Sequence, residues 1–175
     1  MKSDKIYTVL APIGTVLFLI FLLTLFLFVP YNIKNSESQI YPFEIGVFRY
    51  VGAVPIFIGV FFFLWSAWSL TFSGKGTPCP FYPPEEFVVS GIYRYVRNPM
   101  YVGGICILVG EALLFESTYI FLYAIGMFVF LNLFVIFEEG NLKKSFGKSY
   151  EQYYKSVPRW IPRLKPFRGD FSKSS

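Results

Sequence analysis

The sequence predicts an all-α integral membrane protein with four transmembrane helices, the last two forming a helical hairpin, and with C-terminal cytosolic amphipathic helices. Hydrophobic residues make up 54% of the 175 residues and charged residues only 15%, against about 25% in an average soluble domain. Four long apolar runs follow one another, and nearly all basic residues fall on one side of them. An unusually aromatic soluble helical protein is the alternative, but so short a chain buries too little surface to hide these residues in one core.

The first apolar run, Val9–Val29, is uncharged and is closed by Pro30. At about 1.5 Å per residue it spans about 31 Å, enough for the hydrocarbon core of a bilayer. A signal peptide is the alternative, but the run is longer than a typical signal-peptide core, and no cleavage site of small residues follows Pro30. We therefore expect a retained transmembrane helix.

The second run, Val51–Leu70, is also uncharged and has two Trp residues near its end, which are typical of a membrane interface. Gly52 and Gly59 lie seven residues apart in this run, hence on one face of a helix, where small residues let another helix approach closely. Residues 1–70 are therefore predicted to form two N-terminal transmembrane helices.

A polar, proline-rich segment, residues 71–98, leads to the third run, Met100–Phe115. Asn98-Pro99 opens this run with a favoured N-cap residue and a favoured first helical residue. A tight turn with N-cap chemistry, Glu116-Ser117-Thr118, then leads to the fourth run, Tyr119–Phe137. Runs three and four therefore predict the helical hairpin.

Beyond the fourth run, aromatic and basic residues alternate at helical spacing. Glu138-Glu139 ends the last span, and a basic amphipathic helix on the membrane surface is expected to follow. Gly147 is expected to break this helix, a capping box at Ser149 to start a second one, and Val157-Pro158 to stop it. Residues 165–175 are polar and are expected to form a flexible tail.

The distribution of basic residues predicts the orientation. With four spans, all Lys and Arg residues except Lys34 and Arg49 lie on one side of the membrane. The positive-inside rule places that side in the cytosol, with both termini and the proline-rich segment. We therefore expect a multi-pass integral membrane protein, in a cell inner or plasma membrane rather than the endoplasmic reticulum.

The absence of histidine limits the chemistry. With no His in the chain, His-containing metal sites, Ser–His–Asp triads and imidazole bases are excluded. The two Cys residues, Cys79 and Cys106, have neither disulfide-framework nor metal-ligand spacing.

Two segments at the predicted cytosolic face carry candidate site residues. The first holds Arg94 and Arg97 next to the helix N-terminus at Asn98-Pro99, whose free N–H groups attract anions. Both Arg side chains suit a bidentate contact with a carboxylate or a phosphate. The alternative is a juxtamembrane loop with Tyr anchors and Arg residues that face lipid.

The second segment is the acidic pair Glu138-Glu139, which suits an amine, a sulfonium or Arg97 as its partner. The alternative is a pair of solvated acids, with Glu139 paired to Lys143 one turn later. Glu111 is a third candidate, with a capped interfacial acid as its alternative. Binding groups of both signs suit a zwitterionic small molecule. Lipid can reach the same site between spans two and three.

These residues also carry a family resemblance. Residues Gly91–Tyr101 resemble the G-x-Y-x-x-x-R-[HN]-P-x-Y signature of the isoprenylcysteine carboxyl methyltransferases and their prokaryotic relatives. The acidic pair and the aromatic residues after it resemble the E-E-x-x-L-x-x-x-F-G-x-x-Y-x-x-Y signature of the same family. Val157–Pro162 is similar to its usual ending, and Gly76-Thr77-Pro78 and Pro83-Pro84 match a prokaryotic branch. The resemblance covers about residues 71–164, which are expected to form the methyltransferase core.

The resemblance implies an S-adenosylmethionine-dependent methyltransferase that acts on a lipid-like or prenylated acceptor, as in the related phospholipid methyltransferases. It implies Arg97 and Glu139 as catalytic residues, with Arg97 orienting a carboxylate or the acceptor. Glu138 and Glu139 would hold the amino and sulfonium end of the cofactor, and Leu142–Tyr153 would roof it. The implied cofactor-binding residues are Val89, Gly91, Tyr93, Asn98, Pro99, Tyr101, Glu138, Glu139 and Tyr150.

Asn98 stands where many eukaryotic members of that family have His, and it cannot act as a base. Methyl transfer from a sulfonium needs no metal, because positioning supplies most of the catalysis. A carboxylate, a thiolate or an amine acceptor is compatible with the chain, and the lack of His favours the first two. The alternatives are a phospholipid amine N-methyltransferase, a sterol-reductase-like protein and a non-enzymatic scaffold or transporter. The expected partners are the lipid bilayer and a hydrophobic acceptor, without nucleic acid or metal.

Overall fold

The computed structural model describes residues 17–18, 20–36, 44–73 and 89–169. The secondary structure of these ranges is helical, as predicted, and they contain no β-strand. The helices that they contain are α1 (Ile20–Ser36), α2 (Ala53–Ser73), α3 (Pro99–Leu114) and α4 (Thr118–Ser156), with 3₁₀ turns at Gly46–Gly52 and Gly91–Arg94.

Two stretches are long and apolar enough to cross a membrane, Gly46–Ser69 and Thr118–Ser156. Helices α1 and α3 are apolar but shorter, so four spans stay a prediction. The first part of run one, the proline-rich motifs of residues 74–88 and residues 170–175 lie outside the described residues.

Helix α1 does not end at Pro30, where the sequence places the end of the first run, but continues to Ser36. Proline lacks an N–H and collides with the carbonyl one turn earlier. The chain accommodates it with a widened π-helical turn, Thr24–Phe28. In that register the Leu25 carbonyl faces the missing N–H of Pro30, and it accepts a hydrogen bond from the Tyr123 hydroxyl at 3.0 Å. The proline therefore helps to join α1 to α4.

Helices α2 and α3 pack through glycines at two levels. A Cβ atom on Gly59 would lie 2.5 Å from the Gly103 carbonyl oxygen, and one on Gly52 would lie 2.5 Å from the Gly110 carbonyl oxygen. No larger residue fits there unless the helices move apart. The close approach predicted for the Gly52–Gly59 face is confirmed, and α3 is the partner helix.

The turn between α3 and α4 is short, as predicted. The Ser117 hydroxyl caps α4 by accepting the Ile120 N–H at 3.2 Å. Glu116 has a φ of 52°, and its carboxylate accepts the backbone N–H groups of Ile45 and Gly46 at 2.9 and 2.8 Å. The turn is thereby tied to the chain that enters α2.

Helix α4 continues without interruption through Glu138-Glu139 and is broken at Gly147, where φ is 52° and ψ is −127°. A residue without a Cβ adopts this conformation at low cost, so the predicted break at Gly147 is confirmed. The amphipathic helix predicted after the acidic pair thus begins as a continuation of α4. Its position on a membrane surface stays a prediction.

The buried apolar residues form two clusters. The larger one joins α1, α3 and α4 and contains Leu22, Phe26, Met100, Leu108, Ala124, Met127 and Leu131. The smaller one contains Tyr150, Tyr153 and Val157, with Val89, Leu142 and Phe146 packed against it. This smaller cluster supports the polar site.

Candidate active site

The 3₁₀ turn before α3 is fixed from two sides. Gly91 has a φ of +54°, and a Cβ atom there would collide with the hydroxyl of Ser69 on α2. The Tyr93 hydroxyl shares a hydrogen bond of 2.7 Å with the Ser66 hydroxyl, while the Tyr93 carbonyl accepts one from the Tyr153 hydroxyl at 2.8 Å. Burial raises the pKa of the Tyr93 phenol above its ordinary value, so this group stays protonated at neutral pH.

The chain after α4, residues 157–167, folds back across the loop before α3. We call these residues the C-terminal segment. The C-terminal segment and the loop run in opposite directions. Their backbone hydrogen bonds join Arg97 N–H to the Pro158 carbonyl (2.9 Å), Arg163 N–H to the Tyr95 carbonyl (3.0 Å) and Phe167 N–H to the Arg94 carbonyl (2.8 Å). The Arg94 side chain adds a bond from Nε to the Phe167 carbonyl at 2.7 Å. The segment therefore brings its own side chains to the acidic pair.

Glu139 lies between two arginines. Arg159 on the C-terminal segment contacts both carboxylate oxygens, with Nη2 at 2.6 Å from Oε2 and Nε at 3.3 Å from Oε1. Arg97 places Nη2 at 3.1 Å from Oε1. The side chains of Arg97 and Glu139 are only 8% and 6% exposed, and that of Arg159 is 23% exposed. The hydrogen bond to Glu139 raises the pKa of the Arg159 guanidinium. We call these three residues the ionic cluster; Arg97 was among the partners that the sequence suggested for the acidic pair.

Arg97 is held at its other end by Tyr154. Its Nη1 donates to the Tyr154 carbonyl at 2.7 Å, and its guanidinium carbon lies 4.0 Å from the centroid of the Tyr154 ring. Lys143, the alternative partner of Glu139 in the sequence, has its ammonium 3.8 Å from the same ring. Arg97 and Lys143 thus both make cation–π contacts with the Tyr154 ring. These contacts hold Arg97 in place and direct Lys143 toward Tyr154.

Glu138 has a different environment. Its Oε2 accepts a hydrogen bond from the Tyr101 hydroxyl on α3 at 3.1 Å. The Tyr101 ring packs edge-on against Phe134, with ring centroids 6.2 Å apart. Among the described residues, this bond joins the acidic pair to α3, whereas Glu139 is joined to the C-terminal segment.

Three polar atoms of the loop before α3 are buried without a hydrogen-bond partner in the part of the chain that the structure describes. They are Ser90 Oγ, Arg97 Nε and Asn98 Nδ2. Asn98 stands at the predicted N-cap position of α3, with Pro99 as the first helical residue, but its side chain makes no capping bond. Because Arg97 Nε and Asn98 Nδ2 are donors only, and a buried donor without an acceptor is costly, these atoms suit a ligand that carries acceptor oxygens.

The structure brings most of the predicted site residues together. Arg97 and Glu139 are in contact, Tyr101 contacts Glu138, and the turn that carries Gly91 and Tyr93 is bonded to Tyr153. Val89 packs against the small cluster that contains Tyr150. That these residues bind a ligand stays a prediction.

Glu111 is not part of this group. It lies in the last turns of α3, is 8% exposed, and its Oε2 has no hydrogen-bond partner within the described ranges. It is therefore more deeply buried than the capped interfacial acid that the sequence offered as its alternative.

Sequence reasoning missed three contributors to the site. Arg159 was noted only within the Val157–Pro162 string, and its pairing with Glu139 spans 20 residues. Ser66 and Ser69 are buried polar residues of α2 that line the Tyr93 turn. Two serines in the otherwise apolar second run were the available signal.

The family to which the chain belongs follows from a comparison with family models. Residues 47–149 match the model of the phospholipid methyltransferase family, and this region covers α2, α3, most of α4 and both acidic residues. The chain therefore belongs to the phospholipid methyltransferase family, as the resemblance suggested.

Individual relatives agree with this assignment. The chain is 42% identical over 80 residues to the protein-S-isoprenylcysteine O-methyltransferase of Schizosaccharomyces pombe. The aligned region covers 44% of this chain and 33% of that protein. It is 33% identical over 82 residues to the enzyme of the same name from Xenopus laevis (46% and 28% covered). It is 28% identical over 81 residues to the methanethiol S-methyltransferase of Crocosphaera subtropica (46% and 31% covered). The matched region thus spans about a third of each relative's length.

Proposed function

We propose that this protein is an integral membrane methyltransferase that uses S-adenosylmethionine and methylates a lipid-like or prenylated acceptor at the cytosolic membrane face. One observation carries the proposal. The two motifs of the family meet in the Arg97–Glu139 pair, and within the described residues Arg97 Nε and Asn98 Nδ2 are buried donors without an acceptor. The methyltransferase core is assigned to residues 71–164.

The residues present fit this cofactor. Its amino-acid end is zwitterionic, and the site offers groups of both signs at adjacent positions. Arg97 Nε and Asn98 Nδ2 are free to donate to a carboxylate. Glu138 uses one oxygen for Tyr101, and its remaining acceptor positions suit an ammonium or a sulfonium. We therefore assign the cation of the cofactor to Glu138.

Glu139 has a different role in this proposal. Its carboxylate already accepts three contacts from Arg97 and Arg159, and a further cation there would be repelled by both guanidinium groups. Glu139 therefore organises Arg97 rather than binding the cofactor's cation itself. Its direct contact with the cofactor, implied by the resemblance, stays a prediction.

S-adenosylmethionine supplies an electrophilic methyl group on a sulfonium. The chain supplies binding, orientation and exclusion of water. Gly91, Tyr93 and Pro99 shape the wall of the site on the α2 and α3 side, while Tyr150 and Tyr153 close it from beyond Gly147. The Tyr93 phenol is protonated at neutral pH, and burial raises its pKa further, so it is a fixed hydrogen-bonding group and not a base.

The acceptor is a carboxylate, a thiolate or an amine. The named activities of the relatives cover oxygen and sulfur acceptors, and the family model is named for phospholipids. The chain has no His to take a proton from an amine, which favours an acceptor that is already anionic. A phospholipid amine is the alternative acceptor.

Calorimetric titration of the purified protein with S-adenosylmethionine and S-adenosylhomocysteine tests the cofactor. We expect both to bind, and we expect Glu138→Gln to weaken S-adenosylmethionine binding by about tenfold or more, because a charge-assisted contact is lost. Glu151→Gln is the matched control, since Glu151 lies beyond Gly147 and its pair with Lys155 is exposed. The absence of binding by the parent protein in several detergents and in nanodiscs would refute the proposal.

Transfer of a labelled methyl group identifies the acceptor class. The protein is incubated with labelled S-adenosylmethionine and, in separate reactions, a total lipid extract, a prenylated cysteine and a small alkyl thiol. Label in phospholipid would support the amine alternative. Label in the prenylcysteine or in the thiol would support the anionic acceptor.

A further inference from the structure

Arg159 is the member of the ionic cluster that reaches Glu139 from the C-terminal segment. Pro158, the residue before it, accepts the N–H of Arg97 at 2.9 Å, so the backbone itself sets the two arginines side by side. Arg159 is also the more exposed of the two, with 23% of its side chain accessible against 8% for Arg97. It lies at the rim of the site and Arg97 lies inside it.

The charges of the ionic cluster do not cancel. Two guanidinium groups face one carboxylate, which leaves one positive charge in excess. Arg159 takes the stronger share of Glu139, with two contacts that include the shortest one, 2.6 Å to Oε2, whereas Arg97 makes a single contact at 3.1 Å. Bidentate contacts of this kind are the stronger ones. The excess charge therefore resides mainly on Arg97.

The unpartnered donor lies on the same guanidinium. Arg97 uses Nη1 for the Tyr154 carbonyl and Nη2 for Glu139, while Nε is buried and has no acceptor among the residues that the structure describes. If Arg159 were removed, Oε2 of Glu139 would lose its partner. The carboxylate would then turn to Arg97, whose Nε–H is the available donor on the group that it already touches, and the donor and the excess charge would be consumed together.

We propose that Arg159 is a positioning residue that satisfies Glu139 from the C-terminal segment and so leaves Arg97 charged and open to the carboxylate of the bound cofactor. This inference rests on the proposed function. It predicts that Arg159 affects ligands with a carboxylate and does not affect closely related ligands without one. A residue that only held the C-terminal segment in place would affect both kinds equally.

The test compares two probes, S-adenosylhomocysteine, which has the carboxylate, and 5′-methylthioadenosine, which lacks the whole amino-acid end. We expect Arg159→Gln to weaken binding of S-adenosylhomocysteine by about tenfold or more, and to leave that of 5′-methylthioadenosine within about twofold. Arg159→Lys keeps the charge but not the bidentate contact, so it should restore part of the lost affinity. Calorimetry with each full-length variant gives the two affinities without any measurement of activity.

Arg163→Gln is the control for a structural role. Arg163 lies on the same segment and donates to the Ser156 carbonyl at 2.8 Å, but it does not contact Glu139. We expect the ratio of the affinities for S-adenosylhomocysteine and 5′-methylthioadenosine to be unchanged in Arg163→Gln. If Arg159→Gln fails to fold, Arg159→Lys still tests the inference, because the same ratio should be shifted in that variant. Equal weakening of both probes by the Arg159 variants would overturn the inference and leave the proposed function intact. Failure of the parent protein to bind either probe would overturn both.

Discussion

The two ends of the α3–α4 hairpin each hold a glutamate next to an arginine, but the two pairs differ in almost every other respect. At the turn, the Glu116 carboxylate binds two backbone N–H groups, and Arg49 stands 3.6 Å away with 44% of its side chain exposed. At the opposite end, Glu139 is buried between two arginines. We refer to these as the turn end and the site end.

The difference separates the candidate site from a structural ion pair. At the turn end, the carboxylate joins two parts of the chain, and no buried polar atom of Glu116 or Arg49 lacks a partner. At the site end, two arginines face the one carboxylate of Glu139, and within the described residues Ser90, Arg97 and Asn98 have buried polar atoms without partners. Structural ion pairs also place opposite charges together. The excess charge of the ionic cluster and the unpaired donors are the features on which the proposed ligand site rests.

The largest expected effect comes from breaking the ionic cluster at its centre. Glu139→Gln leaves the buried Arg97 without a counter-charge, which is expected to cost about 3 to 5 kcal/mol of unfolding free energy and most of the affinity for S-adenosylmethionine. Circular dichroism during denaturant titration in mixed micelles gives the first quantity, and calorimetry gives the second. A variant with the stability and affinity of the parent would show that the ionic cluster contributes as little as an exposed ion pair, and that the contrast with the turn end is wrong.

A smaller loss is expected where the helices that connect the two ends touch. Gly59→Ala places a Cβ atom 2.5 Å from the Gly103 carbonyl oxygen, so α2 and α3 must separate, at a cost of about 1 to 3 kcal/mol. Gly126→Ala is the control, because nothing lies within 4 Å of a Cβ atom there. If both variants unfold at the same denaturant concentration as the parent, the glycine contact is not a constraint on the helix spacing.

Tyr93→Phe removes a single hydrogen bond at the site end, the one shared with the Ser66 hydroxyl. We expect a loss of about 0.5 to 1.5 kcal/mol, measured by the same titration. Tyr119→Phe is the matched control, since Tyr119 is 43% exposed. A Tyr93 variant no less stable than the Tyr119 variant would mean that the buried Ser66–Tyr93 bond contributes nothing net.

The smallest effect is expected at the turn end. Arg49→Gln removes an exposed ion pair, while Glu116 keeps its bonds to the backbone N–H groups of Ile45 and Gly46. We expect no measurable change in melting temperature at physiological salt, because water and ions screen such pairs, and no change in cofactor affinity. A shift as large as that of Glu139→Gln would remove the distinction between the two ends.

The features that the sequence predicted correctly depend on near neighbours in the chain. Pro99 begins α3, Ser117 caps α4, and Gly147 breaks it, each for a reason contained in that residue's own backbone geometry or hydrogen-bonding groups. Arg97 was also among the partners that the sequence suggested for the acidic pair, whereas Lys143, the alternative partner of Glu139, lies against the Tyr154 ring. Pro30 shows the limit of local rules, because its helix continues where Tyr123 of another helix satisfies the exposed carbonyl.

By itself, the sequence determined the helical class, the family and the residue types of the site, because composition, capping residues and motif spacing are properties of the chain. The tertiary structure alone decided how the charges are shared. Arg159 reaches Glu139 only because the C-terminal segment folds back over the loop before α3, and Ser66 meets Tyr93 only because glycines let α2 lie against α3. A carboxylate takes whichever donors the fold brings within about 3 Å. For that reason Glu139 binds two arginines, while its neighbour Glu138 accepts a hydrogen bond from Tyr101.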